Sequence, residues 1–194
     1  SDVLESATAI AQAFEGGTAF AFGQPPAPEG LAQVLQQALQ DIRILLIPAE
    51  IYRRVLGEER HICDAAACVG VLENKPALRG PEQRAALLDE LLKANLSLKE
   101  PQPKRALRYL LHGSPEHYDD SHSLVAAHEA NEGSVWTKLV RLVATPWRYV
   151  PRELANVLNP EHRRALGITA ITPEGAVGIL RESKESLRAL NLSV

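Results

Sequence analysis

The sequence contains no methionine and only two cysteines, and aromatic residues make up 5% of it. A disulfide-stapled fold is excluded by that cysteine count, and the sparse pair fits a reducing, cytoplasmic setting. Cys63 and Cys68 have four residues between them, not the two of a redox pair, and read as reduced residues on an apolar face. A second cysteine pair for a zinc ribbon is missing, although His61 with these cysteines offers three soft ligands. No apolar run approaches a membrane span; the longest strongly apolar stretch is Ile44-Leu45-Leu46-Ile47. No basic start with a following apolar segment marks a secretory signal. Neither G-x-G-x-x-G nor G-x-x-x-x-G-K-[ST] occurs, so the sequence implies no nucleotide cofactor. Net charge is small, −3, which argues against a general polyanion binder.

What remains is ordinary globular material. Of the 194 residues, 45% are apolar and 23% charged. A chain of this length buries enough surface to hold one core without metal or disulfide. One domain spanning 1–194 is expected, and a chain that starts at Ser1 without methionine reads as an excised part of a larger protein. The prolines at 101 and 103 offer a subdivision into an α/β part, 1–100, and a helical part, 101–194.

Periodicity predicts many short helices. Residues 3–14 repeat apolar side chains at three- and four-residue steps, and residues 31–40 place Leu31, Val34, Leu35 and Ala38 on one face. Residues 24–30, with three prolines, read as a turn or linker. Residues 18–22 and 42–47 read as strands, the second continuous enough for a central buried position. A short helix is expected over 49–56, whereas 61–72 fits either helix or strand. Gly80-Pro81-Glu82 opens the best-signalled helix, with Leu87, Leu88, Leu91 and Leu92 as its stripe. Another starts at Pro103, buries Leu107, Leu110 and Leu111, and stops at Gly113. Ser134 caps 135–143, expected to bury Trp136, Leu139, Val140 and Val143. Residues 151–158 are helical, Asn159-Pro160 starts a further helix, 168–171 is a short strand, and Thr172-Pro173 opens the last helical region. The fold class is α+β, mainly helical with a small central sheet of short strands.

Charge is segregated. Residues 1–42 hold five acids and no lysine or arginine, whereas 134–166 hold six bases against two acids. Within the basic half, Arg148, Arg152, Arg163 and Arg164 with Trp147 and Tyr149 form a candidate binding segment. Its cations suit phosphates and its aromatics suit stacked bases. The same residues equally fit a solvated face gripping an acidic partner, and the second helix is short for groove recognition.

His112, His117, His122 and His128 fall within 17 residues, with Asp119, Asp120 and Glu129 among them. Imidazole and carboxylate are transition-metal ligands, so His112, His117, His122 and Asp119 are the candidate metal set. Steps of five, five and six do not share a helix face, and no H-E-x-x-H is present. The expected function is a non-catalytic interaction or regulatory module of an intracellular protein. Its partner is another protein or another domain of the same chain, and no membrane is involved. The alternatives are a nucleic-acid-binding domain using 148–164 and a metal-dependent hydrolase using 112–129.

Overall fold

A computed structural model describes residues 12, 19–21, 27–40, 42–45, 64–74, 77–113, 124–126, 133–143 and 149–182. Gln12 is helical; the rest of the helix expected over 3–14, and that over 49–56, lie outside the described residues.

The first unit is strand–helix–strand. Strand β1 (Ala19–Ala21) and β2 (Arg43–Leu45) pair in parallel, Phe20 opposite Ile44, with helix α1 (Ala27–Ala38) between them. Helix α1 starts inside the segment read as a linker, because Pro28 sits in its first turn, where a missing N–H costs nothing. Among the described residues β2 pairs with β1 alone, so the central position expected for it is not seen there. Leu35, Ala38 and Leu39 are fully buried, and an antiparallel bridge from Leu39 to Leu78 ties the end of α1 to the approach of the next helices.

The ambiguous stretch resolves as helix α2 (Ala65–Glu73), because the Asp64 side chain accepts from the Ala67 N–H at 2.8 Å and so caps it. Helix α3 (Pro81–Lys93) follows Gly80 as read and ends before Asn95, a left-handed residue at φ 54°. Its Leu87, Leu88 and Leu91 are fully buried.

Helix α4 (Pro101–His112) begins two residues earlier than expected, with Pro101 and Pro103 both inside its first turn. Its last seven residues, Ala106 to His112, are all buried, so α4 is an interior helix and not one with a single apolar side. One continuous core runs from Leu31 through α2, α3 and α4 to Ile168, across the prolines at 101 and 103. Helix α1 packs on α3, and α2 on α4.

The second sheet is three-stranded and parallel. Strand β3 (Leu124–Ala126) is central, flanked by β4 (Tyr149–Val150) and β5 (Ile168–Ala170). The crossover from β3 to β4 is helix α5 (Val135–Val143); that from β4 to β5 is α6 (Arg152–Val157) and α7 (Pro160–Ala165). Helix α8 (Pro173–Glu182) follows β5. Leu124, Ala126, Val150 and Ile168 join the main core, whereas Val125 and Tyr149 pack with Val140, Ile171 and Ala176. This is the alternation of a strand with both faces covered. Helices α5 and α8 cover one face, and the bundle of α3, α4 and α6 covers the other. The chain is α+β and mainly helical, with a small sheet between helical layers.

Candidate interaction surface

Helix α5 begins where the Ser134 hydroxyl accepts from the Thr137 N–H at 3.1 Å. The same hydroxyl donates to Thr137 Oγ1 at 3.0 Å, so a polar side chain enters the interior with a bonded oxygen. Among the described side chains of α5, Thr137 and Val140 are fully buried. This corrects the sequence expectation: Trp136 is 37% exposed and Leu139 half-buried, and the side chain of Val143 lies outside the described residues.

An α-helix turns about 100° per residue. On that wheel Val135 and Leu142 lie about 20° apart, opposite Thr137 and Val140, with Leu139 beside them. The position that should be most polar is therefore apolar: Val135 is 68% exposed and Leu142 67%. Lys138 and Arg141, both exposed, follow on one flank, and Trp136 lies on the other. The Arg141 guanidinium rests 4.8 Å from the centre of the Tyr149 ring, which fixes a cation on the same flank as Lys138, farther from the stripe. Sequence reading missed this face, although the signal was present: VWTKLVRLV gathers its apolar residues on one wide arc, with Thr137, Lys138 and Arg141 on the other and no acid, and that arc is wider than one buried face needs.

The basic segment read from the sequence divides by role. Arg152 and Arg164 are exposed, whereas Arg163 is half-buried and turned onto its own chain. Arg163 donates from Nη2 to the Ala155 carbonyl at 2.7 Å and from Nε to the Leu158 carbonyl at 3.1 Å. These carbonyls lie in the last turn and at the cap of α6, where a cation is favoured, and the Ala155 carbonyl also accepts from the Leu158 N–H. Two buried arginines repeat the device. Arg84 donates from Nη1 to the Leu110 and Leu111 carbonyls at 2.9 and 3.3 Å, and Arg108 donates to the Leu166 carbonyl at 2.7 Å. Burial pulls the Arg84 guanidinium below its ordinary pKa, with the fields of Tyr109 and Glu153 opposing that shift. Tyr149 is half-buried under Arg141, so its ring is a packing partner of α5. Trp147 and Arg148 lie outside the described residues.

His112 is buried in the last turn of α4. His117, Asp119 and His122 lie outside the described residues, and among those described no group of three histidine, cysteine or acidic residues converges as a metal site. Cys68 is buried in α2, and Cys63 lies outside the described residues. No helix among the described residues is long and apolar enough to cross a membrane. No protein family, no curated protein and no solved structure matches the chain.

Proposed function

We propose that this chain is a protein-interaction or regulatory module of a larger intracellular protein, and that it meets its partner through the outer face of α5. The observation that carries this reading is the pair Val135 and Leu142, more than two-thirds exposed on the side opposite the buried face. A solvated helix normally presents polar residues there, and neighbouring apolar side chains on the outside are the mark of an interface. Trp136 adds a large side chain of the kind that anchors interfaces. The test is photo-crosslinking in cells, with the reactive residue placed at Leu142 or at Gln36, an equally solvent-facing position on α1. A discrete protein adduct from Leu142 and none from Gln36 is expected. No adduct from Val135, Trp136 or Leu142 rejects the reading.

The nucleic-acid reading rests on the exposed cations Arg152 and Arg164, since Arg163 is committed to the end of α6. It requires salt-sensitive binding of a DNA or RNA strand that disappears in Arg152→Glu/Arg164→Glu. Binding unaffected by that pair removes these residues as the interface.

A further inference from the structure

We infer that the occupant of the α5 face is an acidic amphipathic helix of a partner protein. This rests on the α5 reading above and names the chemistry of what binds there. The apolar strip from Val135 through Leu139 to Leu142 covers seven residue steps, about 10 Å along the axis. That is two turns, the contact length of one helix laid against another, and too narrow for a sheet face.

The flanks decide the charge. Lys138 borders one edge of the strip, Arg141 lies beyond it on the same flank, and α5 itself holds no acid. Arg141 is already positioned by the Tyr149 ring, so little side-chain freedom is lost when a carboxylate meets it. A helix with its apolar residues on the strip and glutamate or aspartate above Lys138 and Arg141 satisfies both features. A basic helix would place like charges together at the same edge, which is unfavourable. An antiparallel second copy of α5 would do the same, because a two-fold axis across the helices sets the two basic flanks against each other.

The test uses the full chain and three fluorescein-labelled helical peptides. All three carry leucine at i, i+3, i+4 and i+7; their flanks carry glutamate, glutamine or lysine. Fluorescence anisotropy is expected to give the tightest binding for the glutamate peptide, weakening with salt. Leu142→Lys should abolish it, and Lys138→Glu should weaken it by about tenfold. Lys138→Glu/Arg141→Glu should reverse the preference toward the lysine peptide, and circular dichroism checks that each variant is folded. Equal binding of all three peptides, binding indifferent to Lys138→Glu, or no binding overturns the inference. So does dimerisation of the chain in sedimentation that Leu142→Lys abolishes. Crosslinking at Leu142 in cells is read independently, so an acidic partner can fail while the interaction face stands.

Discussion

Arg108 on α4 donates from Nη1 to the carbonyl of Leu166 at 2.7 Å, a buried bond between residues 58 apart in the chain. It joins the interior helix to the turn that launches β5, next to Gly167 at φ 71°. A Cβ at Gly167 would lie 3.1 Å from the same nitrogen, so glycine there serves both the left-handed turn and the approach of the guanidinium. Arg108→Met should lower stability by about 1–3 kcal/mol, because it leaves a buried carbonyl without a donor. Urea unfolding at constant m-value measures this. Arg108→Lys should recover only part of the loss, since an ammonium lacks the planar reach of the fork. Full recovery would show that charge alone suffices.

Arg84 and Gly113 form a second such pair at the end of α4. Gly113 is left-handed at φ 77°, and a Cβ there would run into the Arg84 guanidinium. Gly113→Ala should cost at least about 1 kcal/mol for the backbone, with the collision added to it. The double variant Arg84→Ala/Gly113→Ala should cost less than the sum of the singles, because the collision is gone. Strict additivity in thermal unfolding would disprove the contact.

Arg163 and Arg164 are neighbours in sequence with different roles. Arg163→Ala should cost about 1–2 kcal/mol through the lost bonds to Ala155 and Leu158. Arg164→Ala, at an exposed position, should stay within about 0.5 kcal/mol of the parent. Chemical denaturation of the two variants side by side checks this, and equal effects would remove the capping role of Arg163.

Burial pushes the Tyr109 hydroxyl up to about 12, against the lowering influence of the Arg84 charge. The folded state therefore favours the neutral phenol. Its contribution is complete below the ordinary phenol value of about 10 and is lost as pH rises from there toward about 12. Tyr109→Phe should flatten the alkaline fall in stability over that window. An unchanged slope in unfolding measured from pH 9 to 12 would place the alkaline sensitivity elsewhere.

The two sides of α5 should respond oppositely to charge. Leu142→Lys, at a side chain 67% exposed, should leave stability within about 0.5 kcal/mol of the parent. Val140→Asp, at a fully buried position, should cost several kcal/mol or prevent folding. A large loss in Leu142→Lys would mean that the outer face is covered within the chain itself.

Local chemistry made most element ends readable. Gly80-Pro81 at the start of α3, Gly113 after α4, Ser134 before α5 and Asn159-Pro160 at the start of α7 stand where backbone geometry and open N–H groups require such residues. The apolar stripe of α3 is equally legible, because Glu82, Asp89, Glu90 and Lys93 interrupt the leucines on the other side. Start positions slipped at α1, where the sequence suggests a proline linker although Pro28 occupies the first turn, and at α4, where Pro103 marks the expected start although the helix already begins at Pro101.

Periodicity failed where the buried side of a helix is not the centre of its apolar arc. In α5 the apolar residues share one arc, yet the sheet beneath it buries Val140 at the margin of that arc and Thr137 beyond it, and leaves Val135 and Leu142 outside. In α4 the leucines announced one buried side, yet the helices and strands around it also bury Arg108, Tyr109 and His112. The fate of the arginines was beyond sequence for a related reason. Arg163 and Arg164 differ by one step around a short helix, and the carbonyls at the end of α6 lie on one side of that step. Sequence by itself determined most of the helices that the structure describes, with 61–72 left between helix and strand, where most of them start and stop, and the excess of basic residues in 134–166, because caps, prolines and composition act locally. Tertiary structure decided which cations bind the chain's own carbonyls and which apolar side chains stay outside, because both depend on what packs against each helix.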